Sequence, residues 1–401
     1  MTQLKRSLGL PLVLFFGLGN ILGAGIYVLI GKVAGEAGMF TPIGFLVAAL
    51  VASFSAFSYS ELSARYPNAA GEALYVEKGF RWHFLSRLTG LMIAFAGMIA
   101  SATICRGFYG YFNTFIALPE WLVISAIVMV LGMLIIWGIS QSVKMAALLT
   151  IAEIGGLLLV IWGGRDLLSA LPGHLPALTP GLDSAVWVGI LLAAFLAFFA
   201  FLGFEDMVNI AEEVKNPERT MPAAILLALL IATLIYTCVA LVAVLALDQQ
   251  ALATSEAPLA DVLVATSDIN PAIISFIGMF AVINGALIQM IMASRMFYGM
   301  ACQGWLWQPL AQVSPRTHTP VNASWLVILV VLNLALWFPL EGLAKTSSFI
   351  ILCVFSLVHV ALILIKRRDP SPTGLIIIPL WVPVCGLICC LGLLVFQLLV
   401  G

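Results

Sequence analysis

Charged residues are scarce in this sequence. Lysine, arginine, aspartate and glutamate make up only 9% of the 401 residues, whereas 62% are hydrophobic. That is too little charge to cover the surface of an ordinary soluble protein. The formal net charge of -1, without interleaved basic and aromatic residues, also excludes a basic nucleic-acid-binding protein. The composition therefore predicts an all-α integral membrane protein whose partner is the lipid bilayer.

Motifs of the common enzyme and metal sites are missing as well. The seven cysteines form no CxxC pair and lie mostly within apolar runs, which favours small core residues over disulfides or metal ligands. There is no HExxH motif, and residues 17–22 lack the third glycine of a dinucleotide-binding loop. We therefore expect no catalytic residues, no metal and no cofactor.

Apolar runs of about 20 residues, the length of a membrane-spanning helix, recur about eleven times. The predicted spans lie near residues 10–33, 40–64, 86–112, 121–139, 144–163, 185–211, 222–247, 271–300, 322–338, 346–365 and 375–400. No small-residue cleavage site ends the first run, so we expect it to be retained as a span. If the N-terminus is cytoplasmic, fourteen of the 18 lysines and arginines fall on the inner side, which predicts that orientation in a cell membrane.

Two of the predicted spans contain an interruption. Four glycines occur within residues 17–25, and each costs about 1 kcal/mol relative to alanine inside a helix, so the first span is predicted to break near residues 23–25. A second break is predicted at residues 198–205. Broken helices five spans apart predict an inverted repeat, about 10–163 against 185–365, within a single domain, 1–401, with an additional span at 375–400. The alternative for Gly19 and Gly23 is a GxxxG helix-packing face.

Such breaks expose backbone groups that suit a small zwitterion. Amide groups of Ala24, Gly25 and Ile26 begin a new helix, whose positive end favours a carboxylate. Carbonyl groups before the breaks suit an ammonium group; they belong to Asn20, Ile21, Phe199, Ala200 and Leu202. Phe199 is a candidate for closing over the ligand, with simple packing as the alternative.

Two acids lie within predicted spans, where an ionised carboxylate costs about 2.5 kcal/mol or more at midspan. Glu153 and Glu205 are therefore candidates for carrying a proton. The structural alternatives are that Glu153 hydrogen-bonds a neighbour and that Glu205 caps free amides at the second break. A sodium site would need hard oxygen ligands, yet residues 276–293 contain no serine or threonine, which disfavours sodium.

Several motifs together give the sequence a resemblance to the amino acid–polyamine–organocation (APC) transporter superfamily. They lie at residues 19–27 (GNILGAGIY), 59–71, 198–205, 211–222 and 294–320. The resemblance implies the LeuT-like fold, a five-plus-five inverted repeat with discontinuous first and sixth spans. It also implies that the first break binds a substrate carboxylate and the sixth span its amine. The residues that correspond are Ile21, Gly23, Ala24 and Gly25, with Phe199, Ala200, Leu202 and Gly203.

The predicted function is secondary active transport of an amino acid or related small amine by alternating access, either proton-coupled or by exchange, without sodium. Proton-coupled relatives often have a lysine where this sequence has Glu153, so their coupling mechanism does not carry over to this chain. An acid near the site has two alternative roles, carrying a proton or attracting a cationic substrate. The alternative is a ligand-binding receptor or partner subunit that does not transport. Whether an accessory subunit is needed stays open.

Overall fold

Helices form nearly all of the regular structure in this computed structural model. It describes residues 6–23, 25–68, 71–137, 143–370, 374–375 and 377–401, and of residues 143–146 only the backbone. In the first half of the chain the helices are α1 (Leu10–Leu22), α2 (Gly25–Ala37), α3 (Thr41–Arg65), α4 (Gly71–Phe80), α5 (His83–Asn113), α6 (Glu120–Trp137), α7 (Val143–Gly163), α8 (Arg165–Ser169) and α9 (Leu171–Leu178). In the second half they are α10 (Ser184–Phe201), α11 (Pro217–Ala246), α12 (Gln249–Thr254), α13 (Pro258–Thr266), α14 (Ala272–Cys302), α15 (Val321–Trp337), α16 (Leu340–Arg368) and α17 (Trp381–Val400).

The long helices correspond to the predicted spans. Eight stretches of the described residues are long and apolar enough to cross a membrane, and one of them, Leu10–Arg65, contains α1, α2 and α3. Two shorter apolar helices, Ala147–Gly163 and Val321–Trp337, lie at the predicted fifth and ninth spans. The fold is therefore that of an all-helical, multi-pass membrane protein, while the number of spans and the inverted repeat stay predictions.

The end of the chain differs in detail from its prediction. The last helix begins at Trp381, six residues after the predicted start of the span, and Pro379 lies before it. Proline lacks the backbone N–H that a helix interior requires. It is therefore found before a helix or in its first turn, where the N–H would have no partner in the helix. Pro383 accordingly lies in the first turn of α17.

The core is centred on the helices that carry the two breaks. Helix α1 packs against α11 and α7, and α2 packs against α10 and α12. Helices α3 and α11 pack along each other, as do α5 and α14. This arrangement surrounds α1, α2 and α10 with other helices, so their interrupted backbone faces protein rather than lipid, as it must within a membrane.

A buried ion pair joins α3 to α16. The Lys366 ammonium lies 2.6 Å from Oε2 of Glu61, and both side chains are almost completely buried. Lys366 also donates to the carbonyl of Ile378, and the Ile378 amide donates to the same Glu61 carboxylate. Arg65 pairs with the other Glu61 oxygen. These bonds fix the segment before α17 onto α3 and α16.

Candidate functional site

The first predicted break is present between α1 and α2. Helix α1 ends at Leu22, and the Gly23 amide still donates to the carbonyl of Gly19 at 3.0 Å. Helix α2 begins at Gly25, and Ala24, the residue between, lies outside the described residues. Two separate helices, α1 and α2, therefore meet at the glycines where the sequence predicts the break.

The second predicted break follows α10. The helix ends at Phe201, Leu202 is extended with a ψ of 144°, and Gly203 has a φ of +122°. Only glycine adopts that φ readily, so the glycine at position 203 determines where the helix breaks. A 3₁₀ helix, Glu205–Glu213, continues the chain.

The two breaks lie against each other. A Cβ atom placed on Gly25 would lie 2.7 Å from the Cβ of Ala200, and one on Gly203 would lie 2.7 Å from the carbonyl oxygen of Asn20. Both distances are too short for real Cβ contacts. Glycine is therefore required at both positions for the backbones of the interrupted helices to approach, which adds a packing role to the ligand access predicted for Gly25.

Tyr236 of α11 joins the two breaks, and sequence reasoning did not identify it. Its buried hydroxyl lies 2.6 Å from the carbonyl oxygen of Ile21 and 2.9 Å from that of Ala200. A hydroxyl has one hydrogen, so the two carbonyls share it. Two of the carbonyls predicted to receive an ammonium group thus already have a side-chain partner, although each oxygen keeps a second lone pair. The Phe199 carbonyl accepts from the Leu202 amide.

A narrow cavity adjoins the breaks. It encloses about 370 Å³ of empty space including its mouth, of which about 20 Å³ is open to the centre of a water molecule. That is room for about one ordered water, so the cavity is narrow. Its walls come from both breaks and from α5 and α14: Asn20, Ile21, Gly25, Ala100, Ile104, Phe199, Leu202, Gly285, Ile288 and Gln289.

The predicted binding residues divide into two groups. Ile21, Gly25, Phe199 and Leu202 line the cavity. Gly23, Ala200 and Gly203 do not line it but form the backbone of the breaks, and Ala24 lies outside the described residues.

Asn20 and Gln289 are the polar side chains of the cavity wall. Both amide atoms of the Asn20 side chain are buried, and neither has a hydrogen-bond partner among the described residues. Gln289 donates to Asp206 at 2.7 Å. An unpartnered buried amide is costly unless something else bonds to it, so Asn20 marks a place for a polar ligand group or water.

Glu153 lies beside the first break rather than in the cavity wall. Its Oε1 accepts from the Asn284 amide at 2.9 Å, which is the neighbour bond anticipated for it. Its Oε2 is buried without a hydrogen-bond partner among the described residues, 3.5 Å from the Cβ position at Gly23. The hydroxyl of Tyr27, in α2, donates to the backbone carbonyl of Glu153 at 2.7 Å. The carboxyl group and its backbone thus contact both sides of the break.

Glu205 caps the second break, as its structural alternative predicts. Its Oε2 accepts from the Gly203 amide at 2.8 Å. Two further buried acids lie nearby: Asp206, bound by Gln289, and Glu72 of α4, which accepts from the Tyr59 hydroxyl at 3.2 Å. Burial, partly offset by hydrogen bonds, raises the pKa of Glu72 to about 7.

Comparison of the sequence with known protein families identifies the family of this chain. The family profile described as amino acid permease matches residues 8–401, almost the whole chain. The chain belongs to the amino acid permease family. The resemblance to the APC superfamily is thereby confirmed. The function of the family is amino acid transport, and this permease is a multi-pass membrane protein.

Three relatives show the range of the family around this permease. It is 32% identical to an uncharacterized transporter of Mycobacterium tuberculosis, over 98% of this chain and 86% of that protein. It is 28% identical to the branched-chain amino acid permease BcaP of Bacillus subtilis, over 92% of this chain and 83% of that protein. It is 27% identical to the vacuolar cationic amino acid transporter 4 of Arabidopsis thaliana, over 92% of this chain and 64% of that protein.

Proposed function

We propose that this permease is a secondary active transporter that moves an amino acid or related small amine across the cell membrane by alternating access. In the proposal the chain is a single transporter domain with its N-terminus in the cytoplasm and with inverted repeats at about 10–163 and 185–365. The observation that carries the proposal is the contact between two interrupted helices beside a narrow cavity. Interrupted backbone within a membrane is tolerated where it lines such a cavity, and transporters use it to bind their substrates.

The backbone around the cavity supports binding of a zwitterion. Helix α2 starts at Gly25, on the cavity wall, so its first amides and positive dipole end suit the substrate carboxylate. Carbonyls at the ends of α1 and α10 suit the amine, with Phe199 covering the substrate. The Asn20 amide adds a side-chain partner. In this proposal the site residues are Ile21, Gly23, Ala24 and Gly25 with Phe199, Ala200, Leu202 and Gly203.

A role for Glu153 in coupling is supported by its position. The carboxyl group is buried, has one unpartnered oxygen and lies against Gly23, so adding or removing its proton changes the charge beside the first break. Protonation would then bias how α1 and α2 meet. The cap that Glu205 forms at Gly203 supports a structural role for that acid instead. We propose proton coupling or exchange without sodium, because residues 276–293 of α14 lack hydroxyl side chains.

The test is uptake by the purified permease in liposomes. Radiolabelled amino acids should enter in a saturable manner, and preloading with unlabelled substrate should accelerate entry if the mode is exchange. Acidifying the outside should increase accumulation if a proton accompanies the substrate, and Glu153→Gln should remove that pH dependence.

Asp268→Asn is the matched control, because it removes an exposed acid outside the long helices. It should keep the wild-type pH profile. If the pH profile of Glu153→Gln matches those of the wild type and Asp268→Asn, the proton role of Glu153 is rejected. Binding without any flux would contradict transport and favour a receptor or partner subunit.

A further inference from the structure

The cavity wall indicates what kind of side chain the substrate carries. Opposite the two breaks, α5 contributes the apolar residues Ala100 and Ile104, and α14 contributes Gly285, Ile288 and the neutral amide of Gln289. Among the described residues, no aspartate, glutamate, lysine, arginine or histidine lines the cavity. An apolar wall gains from burying carbon atoms and has nothing to pair with a charge.

The polar side chains of the wall, Asn20 and Gln289, are neutral amides, which carry no charge to pair with a charged substrate side chain. Asn20 belongs to the first break itself, next to Ile21. Gln289 is engaged with Asp206, because its amide nitrogen lies 2.7 Å from that carboxylate. Asp206 itself does not line the cavity and already accepts a hydrogen bond from Gln289.

We infer that this permease is selective for amino acids with an uncharged aliphatic side chain, which lies between α5 and α14. The inference rests on the proposed function and adds the substrate class. The relatives do not decide it, because one is named for branched-chain and another for cationic amino acids. A lysine or arginine side chain would lose its hydration here without gaining a counter-charge, and a glutamate side chain would do the same.

The experiment is competition against a bound radiolabelled aliphatic amino acid, L-leucine, on the purified full-length protein. The competitors are leucine, isoleucine, valine, alanine, lysine, arginine and glutamate. The aliphatic amino acids should compete, and the three charged ones should be weaker than the best of them by about 100-fold or more, as expected for an unpaired buried charge. Lysine or arginine within about 10-fold of the best aliphatic competitor would overturn the inference.

Two leucine analogues separate this inference from the proposed function. 4-Methylpentanoate lacks the amine and 3-methylbutylamine lacks the carboxylate, while both keep an aliphatic side chain. Both should compete poorly, because the proposed site binds the two ends of a zwitterion. Competition by these analogues equal to that of leucine would contradict the backbone site but leave the aliphatic side-chain inference intact. No binding of any amino acid would overturn both.

A substitution in the wall adds a second readout. Ile104→Ala enlarges the space between α5 and α14, so it should shift the preference toward longer aliphatic side chains, by about 10-fold in the ratio of leucine to alanine affinity. Ile99→Ala is the matched control, since Ile99 is also a buried residue of α5 but does not line the cavity. Equal affinity ratios for both variants would overturn the inference, and the wild-type competition remains decisive if Ile104→Ala does not fold.

Discussion

Removing the hydroxyl of Tyr236 tests whether the two breaks depend on each other. Tyr236→Phe keeps the ring, whose centroid lies 5.2 Å from that of Phe201 and 5.8 Å from that of Phe45, so packing is preserved. It removes the only hydrogen shared by the carbonyls of Ile21 and Ala200. Leaving buried carbonyls without a donor costs about 1–3 kcal/mol, which sets the expected loss of stability.

The same change should weaken substrate binding. In the proposed site the carbonyls at both breaks are held in place before the substrate arrives, and Tyr236 is the side chain that bonds to both. If about 1–3 kcal/mol of that organisation is lost, affinity should fall about 5- to 150-fold, because 1.4 kcal/mol corresponds to a factor of ten. The assay is equilibrium binding of the preferred amino acid together with the unfolding temperature.

Tyr111→Phe is the matched control. The Tyr111 hydroxyl is also buried and donates to one backbone carbonyl, that of Tyr27 in α2, so it does not join the two breaks. It should reduce stability but leave affinity unchanged. Wild-type affinity in Tyr236→Phe, or an equal change in both variants, would refute the reasoning. Tighter binding would also refute it, since the hydroxyl would then be competing with the substrate for the carbonyls.

Three further variants test the packing and the buried charges. Gly25→Ala should destabilise the permease by about 1–3 kcal/mol, because the added methyl group overpacks against α10. Gly155→Ala in α7 is the control, since a methyl group there meets open space and should not destabilise the protein; thermal unfolding measures both. The folded state favours the neutral form of Glu72, so the free energy of unfolding should fall by up to about 3 kcal/mol as pH rises from about 4.5 through about 7. Glu72→Gln should flatten that dependence, and an unchanged slope in the variant would contradict the role of Glu72. Glu61→Gln should cost about 3–5 kcal/mol, because it leaves the buried ammonium of Lys366 without its carboxylate and weakens the pairing of Arg65. Adding Lys366→Met should restore part of that stability, and no restoration would count against the Glu61–Lys366 ion pair.

The main elements of the fold were predictable from the sequence because the membrane imposes simple rules. Apolar runs of fixed length gave the long helices to within a few residues at most ends. The glycines of residues 17–25 indicated the first break, and the second was predicted at residues 198–205, where Gly203 has a φ that few other residues adopt. What glycine does there was only half anticipated: at Gly25 the neighbouring helix, as well as any ligand, excludes a side chain.

Much of the cavity wall could not be predicted. Ala100, Ile104 and Ile288 belong to membrane helices whose polar residues form no clear stripe, so no periodicity distinguishes the face that lines a cavity from the face that meets lipid. Tyr236 was missed because its role arises only when α11 packs beside both breaks. Asn20 and Gln289 could have been singled out, since amide side chains are unusual within apolar spans. Their surroundings depend on residues distant in the sequence, such as Asp206, which accepts from Gln289.

The most direct test of the account is an experimental structure of this permease with its preferred amino acid bound. We expect both helices to be interrupted, the substrate carboxylate at the start of α2 near Gly25, its amine near the end of α10, and its side chain between α5 and α14. A substrate bound elsewhere, or continuous helices through residues 22–25 and 201–205, would contradict the central claim.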